Sequence, residues 1–319
     1  MNWTSFTSFS QSGPQEHLSG TSGRQGVGSV VMNNLLWVAF SSGDSIPTDS
    51  IRVTFTNTGI GFGLSTGTQV TVGGSPVVTF NNPSLTSDGT FLFLGYTDTN
   101  GFFQLLQSNA NPGLTGILSW TSVGQFAPNG GSFIGSPSLA VLNIGGTSNL
   151  MISEMGTDRS LWLGTFPIGG FFPAATWTNT LGADIGMSPG LGVFNNTLYV
   201  GFPTNENSHD LFYYTTTDGV TLTFHSNAAG DQSSTSPAML AFQGHLYMAF
   251  RTNDGDHKFI YKSSTDGINW TGSRSLSGIT MGGPPALADG TTLTSDPGHL
   301  IADFVANDPT LYLYGGESQ

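Results

Sequence analysis

The sequence contains a repeated unit of 48 to 56 residues, and this repeat constrains the fold more than any other feature. Residues 188–202 read SPGLGVFNNTLYVGF and residues 236–250 read SPAMLAFQGHLYMAF, without a gap between the two segments. Related segments begin at positions 26, 82, 136 and 284. Repeats of this length are typical of β-propellers, whose blades are four-stranded antiparallel sheets. We predict an all-β propeller with six blades, with seven blades as the alternative.

The two ends of the chain predict how the ring closes. The last unit ends in LYLYGGESQ after its third predicted strand, so it lacks a fourth strand. Asn2-Trp3-Thr4 repeats Asn269-Trp270-Thr271, which opens the fourth strand of the preceding unit. We therefore expect residues 1–12 to complete the last blade, which would remove exposed sheet edges. The whole chain, 1–319, is expected to form a single domain.

The composition excludes several classes of partner. The net charge is −13, with only seven Lys and Arg among 319 residues, which disfavours binding to nucleic acid or to anionic membranes. The chain has no cysteine, no apolar segment long enough to span a membrane, and no signal-peptide pattern at its start. Its Ser-, Thr- and Asn-rich, Lys-poor character favours an extracellular or cell-surface location. The oligomeric state is left open.

A repeated turn carries a family resemblance. Ser264-x-Asp266-Gly267-x-x-Trp270, with Thr216-x-Asp218-Gly219 one unit earlier, resembles the Asp-box of sialidase-like propellers, although it is one residue tighter than the usual spacing. In such a turn the aspartate accepts hydrogen bonds from backbone amides and the glycine takes a positive φ. We therefore interpret Asp218 and Asp266 as turn residues.

The resemblance implies further features that this chain does not carry. Sialidases need three arginines that hold a carboxylate, an Arg-Ile-Pro motif, a Tyr/Glu nucleophile pair and an acidic proton donor. The nearest segment to Arg-Ile-Pro is Ile51-Arg52-Val53, and the five arginines are Arg24, Arg52, Arg159, Arg251 and Arg274. We expect the scaffold to be shared and sialidase activity to be absent, because a fold does not determine a function.

Three charged residues break the repeat near the end of the second strand of a unit. Glu154 stands where the other units have Phe or Tyr, Asp303 where they have Ala, Gly or Ser, and Arg251 one position further on. If Glu154 and Asp303 faced one cleft, they could act as the acid and base of a glycoside hydrolase or lyase. Alternatively, each of the three makes structural contacts, such as an ion pair of Glu154 with Arg159, or of Arg251 with Asp254 or Asp256.

Polar residues recur in the loops between the second and third strands. These loops contain Arg159, His209, Asp210, Asp254 and His257. Such side chains bind sugar hydroxyls, but they are also common turn formers. Asp254 and Asp256 resemble part of a calcium loop without its regular spacing or its distal Glu, so we expect no cofactor and leave a Ca²⁺ ion open.

These observations favour a lectin-like propeller that binds a glycan or another small polar ligand and has no catalytic activity. The predicted contacts are Glu154, Arg159, Arg251, Asp254, His257 and Asp303, followed by His209 and Asp210. The alternatives are a glycoside hydrolase or lyase that uses Glu154 and Asp303, and a protein-interaction platform.

Overall fold

A computed structural model describes most of the chain, and its regular secondary structure is almost entirely β-strand. The described residues are 2–6, 26–41, 49–56, 67–112, 118–127, 131–169, 176–180, 182–226, 230–293, 298–305 and 311–317. Within these ranges the only helix is a short 3₁₀ turn, Gly290–Thr292, and no helix is long and apolar enough to cross a membrane. The expectation of an all-β chain is confirmed.

The strands form sheets in the order of the repeats. The chain begins with β1 (Asn2–Phe6), which belongs to the last sheet. Sheet 1 comprises β2 (Val27–Met32), β3 (Leu35–Ser41), β4 (Asp49–Thr56), β5 (Thr68–Gln69) and β8 (Val78–Thr79). Between β5 and β8, β6 (Thr71–Val72) and β7 (Ser75–Pro76) form a separate hairpin. Sheet 2 comprises β9 (Ser84–Ser87), β10 (Leu92–Thr97), β11 (Phe103–Ser108) and β12 (Trp120–Phe126). Sheet 3 comprises β13 (Ser138–Ile144), β14 (Thr147–Met155), β15 (Leu161–Pro167) and β16 (Thr176–Thr180).

The second half of the chain continues the same pattern. Sheet 4 comprises β17 (Gly190–Phe194), β18 (Thr197–Pro203), β19 (Leu211–Thr216) and β20 (Thr223–His225). Sheet 5 comprises β21 (Ala238–Phe242), β22 (His245–Arg251), β23 (Lys258–Ser264) and β24 (Arg274–Thr280). Sheet 6 comprises β25 (Ala286–Asp289), β26 (His299–Val305), β27 (Leu311–Glu317) and β1.

Five of these sheets have the four antiparallel strands of a propeller blade, and sheet 1 differs. In sheet 1, β4 pairs with two short strands, β5 and β8, in place of one long outer strand. The prediction of six four-stranded blades is therefore wrong for this unit. The physical reason is local: the chain between β5 and β8 folds into the β6–β7 hairpin, so only two residues of each remain to pair with β4.

The first strand of the chain pairs with the last. β1 runs antiparallel to β27, with Asn2 opposite Glu317 and Phe6 opposite Leu313. The predicted closing segment was residues 1–12, and residues 7–12 lie outside the described part of the chain.

The innermost strands lie side by side around a central cavity of about 380 Å³. β2 contacts β9 and β25, and the contacts continue from β9 to β13, β17, β21 and β25 in turn. The approach is close where glycines occur, since a Cβ added at Gly190 would lie 1.8 Å from the Pro237 carbonyl oxygen. Apolar side chains fill the layers between sheets, as Phe93, Leu139 and Ile152 do between sheets 2 and 3.

Side-chain acceptors at the unit starts join neighbouring sheets. Gly26 N donates to Asn82 Oδ1 (2.9 Å), Asn82 N to Ser136 Oγ (3.0 Å), and Ser136 N to Ser188 Oγ (2.6 Å). One layer deeper, the Leu139 and Leu191 amides donate to the hydroxyls of Ser84 and Ser138, respectively. The side chains at three unit starts, Asn82, Ser136 and Ser188, are therefore links between sheets.

The close approach of the innermost strands predicts a large difference between two glycine substitutions. Gly190→Ala should destabilise the fold by roughly 2 kcal/mol or more, because β17 and β21 would have to move apart. Gly124→Ala in β12 meets no atom within 4 Å, so we expect a change within about 1 kcal/mol, in the stabilising direction. Urea unfolding of both variants tests this, and equal stabilities would contradict the packing described.

Candidate functional site

The candidate site lies on one face of the propeller, which we call the loop face. It is formed by the loops between the second and third strands of each sheet and by the connections that lead into the next sheet. The described loops are 98–102, 156–160, 204–210 and 252–257, while the corresponding loops 42–48 and 306–310 lie outside the described residues. Asn253 Nδ2 of one loop lies 3.4 and 3.3 Å from the carbonyl oxygens of Asn207 and Ser208 in its neighbour.

One backbone turn recurs in four of these loops. Gly101, Arg159, His209 and His257 all have a positive φ, at 79°, 61°, 50° and 49°. The carbonyl oxygen of each accepts a hydrogen bond from the connection to the next sheet, donated by the amides of Phe133, Ile185, Ser233 and Met281, respectively. These four residues therefore occupy equivalent positions, each at the cleft between two sheets.

The three non-glycine side chains at this position are half-buried and polar. Arg159 Nη1 lies 3.5 and 3.4 Å from the carbonyl oxygens of Ile185 and Gly186. His209 Nδ1 lies 3.1 Å from Thr204 O. The imidazole of His257 makes no hydrogen bond to the described residues, because its only contacts of this kind run through its backbone.

The loop aspartates bond mainly within their own turns. Asp254 Oδ1 accepts from the Thr252 hydroxyl and from the amides of Asp256 and His257, and the Thr252 bond contributes most to lowering its pKa. Asp256 pairs with Lys258 at 2.6 Å, and Asp210 Oδ1 accepts from Gln232 Nε2 at 3.2 Å. Across the described residues, no group of three or more His, Cys, Asp or Glu side chains could hold a metal ion. The Ca²⁺ site at Asp254 and Asp256 stays a prediction.

Arg251 forms hydrogen bonds with the connections on both sides of sheet 5. Its Nε donates to Ser234 Oγ at 2.8 Å, and its Nη1 lies 3.4 and 3.1 Å from the carbonyl oxygens of Met281 and Gly282. Burial lowers its pKa. Among the described residues Arg251 forms no ion pair with Asp254 or Asp256, so that expectation is wrong. Arg159 Nη1 approaches the equivalent carbonyl pair, Ile185 and Gly186, two units earlier.

Glu154 is fully buried between sheets 2 and 3. Its side chain is 0% exposed, and Oε1 lies 2.7 Å from Thr97 Oγ1, whereas Oε2 has no hydrogen-bond partner in the described part of the chain. Burial raises its pKa well above the ordinary value, with Thr97 and the Met155 amide opposing part of the shift. In the described structure Glu154 does not pair with Arg159, which was the structural alternative.

Asp303 is buried in a different layer, between sheets 6 and 1. It is also 0% exposed, and among the described residues neither carboxyl oxygen has a hydrogen-bond partner. Burial raises its pKa to about 7, and the nearby Ser29 hydroxyl opposes part of the shift. The structure does not bring Glu154 and Asp303 together, and none of the eight predicted contacts lines the central cavity. Within the described residues, Glu154 and Asp303 therefore form no shared pocket.

The Asp turns lie away from the loop face, between the third and fourth strands. Asp218 Oδ1 accepts from the Val220 and Thr221 amides, and Asp266 Oδ1 from those of Ile268 and Asn269. These bonds lower the pKa of both aspartates. Their interpretation as turn residues is confirmed, while their assignment to the Asp-box repeat stays a prediction.

Comparisons with known structures show the sialidase-like β-propeller fold. The SapL1 lectin, solved with α-methyl fucoside, has a TM-score of 0.63 at 12% identity and covers 93% of this chain and 94% of its own. The fucose-specific lectin of Aleuria aurantia has a TM-score of 0.60 at 12% identity, covering 93% and 92%. A Hadza microbial sialidase has a TM-score of 0.62 at 15% identity and covers 90% of this chain.

These likenesses show the fold alone. The chain spans 64% of the length of the microbial sialidase. No protein-family model matches the sequence, and no curated protein matches it.

Sequence reasoning missed two features of these residues. Thr97, the partner of Glu154, ends the second strand of its unit, and its position directly before Asp98 suggested only a loop. The equivalence of Arg159 with His209 and His257 was also missed. The loops between the second and third strands differ in length, so an alignment of the units does not place Arg159 opposite His209 and His257. Gly101, in the unit before Arg159, was the available signal, because glycine is common where φ is positive.

The burial of Asp303 predicts a pH-dependent stability. Between its ordinary value of 3.8 and about 7, the folded chain binds a proton at Asp303 that the unfolded chain has released. Stability should therefore fall as pH rises through this window, by up to about 1.4 kcal/mol per pH unit from this group. Asp303→Asn should remove that part of the slope in urea unfolding at pH 5, 6 and 7. The exposed Asp256→Asn should leave it unchanged, and an unaltered slope in Asp303→Asn would refute the assignment.

Proposed function

We propose that this protein is a lectin-like propeller without catalytic activity that binds sugars in the clefts between sheets on its loop face. The clefts are those of sheets 3 and 4, 4 and 5, and 5 and 6, which carry Arg159, His209 and His257, respectively. The sheets are taken to form one domain, 1–319, with sheet 1 as the sixth blade and β1 closing the ring on β27.

The observation that carries the proposal is the residue type at the recurrent turn. A positive φ suits glycine, as at Gly101, and costs a side-chain-bearing residue on the order of 1 kcal/mol. Three consecutive units nevertheless carry Arg or His there, at the mouth of a cleft between sheets. Residues kept in an unfavourable backbone conformation cluster at binding sites, which supports a role in contacting a ligand.

The chemistry of these side chains suits sugar hydroxyls. A guanidinium donates hydrogen bonds, an imidazole both donates and accepts, and the nearby Asp210 and Asp254 carboxylates accept. Glu154, Asp303 and Arg251 are given a different role from the one the sequence suggested. The two acids are sealed between sheets and Arg251 is bound to backbone carbonyls, so none of the three is placed to contact a ligand.

The fold comparisons agree with a sugar ligand without identifying it. The similar structures include fucose-binding lectins, a sialidase and an α-L-arabinofuranosidase, all named for sugars. In the described structure Glu154 and Asp303 share no pocket, which favours the lectin hypothesis over the hydrolase hypothesis.

A glycan array with glycine variants tests the proposal. In Arg159→Gly, His209→Gly and His257→Gly, and in the triple variant, glycine removes the side chain at a backbone position that suits it. We therefore expect unchanged or raised thermal stability, together with a loss of glycan binding of at least tenfold in the triple variant.

Asn195→Gly is the matched control. Asn195 also has a positive φ (49°) but is exposed in the β17–β18 hairpin, at the opposite end of its sheet, so its substitution should leave binding intact. Binding that survives in the triple variant would move the site elsewhere. Sugar release by the wild-type protein would support the hydrolase alternative. If the wild-type protein bound no glycan at all, the remaining hypothesis would be a protein-interaction platform.

A further inference from the structure

A hydrogen-bond chain through Glu154 joins three sheets. Thr79 Oγ1 of β8 donates to Thr97 O (2.8 Å), and Thr97 Oγ1 of β10 lies 2.7 Å from Glu154 Oε1 of β14. Thr97 Oγ1 also lies 3.0 Å from the carbonyl oxygen of Gly135, which accepts from Asn81 Nδ2 at 2.8 Å as well. This hydrogen-bond network therefore has more acceptor oxygens around Thr97 than hydroxyl hydrogens to donate to them.

The number of hydrogens decides the ionisation state of Glu154. The Thr97 hydroxyl has one hydrogen and two acceptors within bonding distance. If Glu154 were ionised, one acceptor would lose its bond, and the second carboxylate oxygen would carry charge in a fully buried position without a partner. If Glu154 is protonated, its O–H donates to Thr97, Thr97 donates to Gly135 O, and only a neutral carbonyl oxygen lacks a partner.

We propose that Glu154 is a neutral hydrogen-bond donor that ties sheet 2 to sheet 3, and that loss of its proton breaks the bond from Thr97 to Gly135, because the single Thr97 hydrogen then turns to the carboxylate. The bond from Thr97 to Gly135 holds the segment Phe133–Gly135 on the loop face, where Ile134 N also donates to Met155 O (3.0 Å) and Phe133 bridges to Gly156. Loss of the proton would therefore loosen this part of the loop face.

Among the residues that the structure describes around Glu154, no positive charge compensates for its ionised form. On the β10 side the titratable groups are Tyr96, whose pKa is raised to about 12 by burial, and Asp98, which accepts bonds from its own loop and from Gln104. After β14 come Asp158, bonded to Ser160, and Arg159, directed to Ile185 and Gly186. Opposite Glu154 on β15 is Trp162, and the connection contributes Phe133 to Gly135, none of which is charged. Burial alone governs the raised pKa of Glu154.

The sign of the pH dependence follows from this arrangement. Above the ordinary carboxyl value of 4.5, the unfolded chain has lost the proton while folded Glu154 keeps it. The unfolding equilibrium constant should therefore increase with pH, by up to tenfold per pH unit from this one group, until Glu154 ionises in the folded state.

Carbon-13 NMR of the carboxyl groups tests the proposal directly, because the chain has only four glutamates: Glu16, Glu154, Glu206 and Glu317. With Cδ-labelled glutamate, the Glu154 signal should keep its protonated chemical shift at pH 7. It is assigned by its loss in Glu154→Gln or, if that variant does not fold, by elimination with the Gln variants of the other three. A signal at the ionised shift at pH 7 would overturn the proposal.

Urea unfolding from pH 5 to 9 gives the second measurement. In Glu154→Gln the amide can still donate to Thr97 but cannot ionise, so its unfolding constant should rise less steeply with pH than that of the wild type. Thr97→Ser, which keeps the hydroxyl, should retain the wild-type NMR signal, whereas Thr97→Val should shift the Glu154 resonance. Equal pH slopes in the wild type and Glu154→Gln would count against the proposal.

Discussion

The rest of the structure depends on the crowding of unpaired strand edges at the centre. Each innermost strand pairs with one neighbour in its own sheet, so its other edge faces the central cavity. The repeated Ser-Pro resolves this problem in two ways. The serine hydroxyl accepts an amide from the preceding sheet, as Ser188 does from Ser136, and proline has no amide that would need a partner. The Ser-Pro motif therefore leaves fewer backbone amides without a hydrogen-bond acceptor at the centre of the ring.

Tight packing at the centre leaves the loops as the place where units can differ. The loop-face turn is fixed by one backbone bond to the next sheet, whichever side chain it carries. Glycine satisfies that turn in sheet 2, and Arg or His satisfies it in sheets 3 to 5 at some conformational cost. The scaffold thus tolerates different side chains at one geometrically defined position in each cleft, which is what a set of related binding sites requires.

The sequence predicted the repeat and the blade strands because their signals are local: hairpin turns, alternating apolar residues and Ser-Pro starts. It also identified Glu154 and Asp303 as breaks in the pattern but misjudged their surroundings. The two residues stand at successive positions of the repeat, and side chains alternate between the faces of a strand, so they had to enter different layers. Whether a neighbouring sheet covers those layers depends on long-range packing. The split outer strand of sheet 1 was equally unpredictable, because Thr68–Gln69 and Val78–Thr79 are too short to carry a pattern.

The same physics separates the two kinds of polar residue in this propeller. An acid between sheets is desolvated, so it is held neutral or must find a donor, and it then acts on the fold through its proton. A polar side chain at the mouth of a cleft stays partly hydrated, so it can exchange water for a ligand at little cost. Glu154 and Asp303 belong to the first kind, and Arg159, His209 and His257 to the second. Under the proposed function, the enclosed Glu154 and Asp303 serve the fold while Arg159, His209 and His257 contact the ligand, since acid–base catalysis needs carboxyls that reach the substrate.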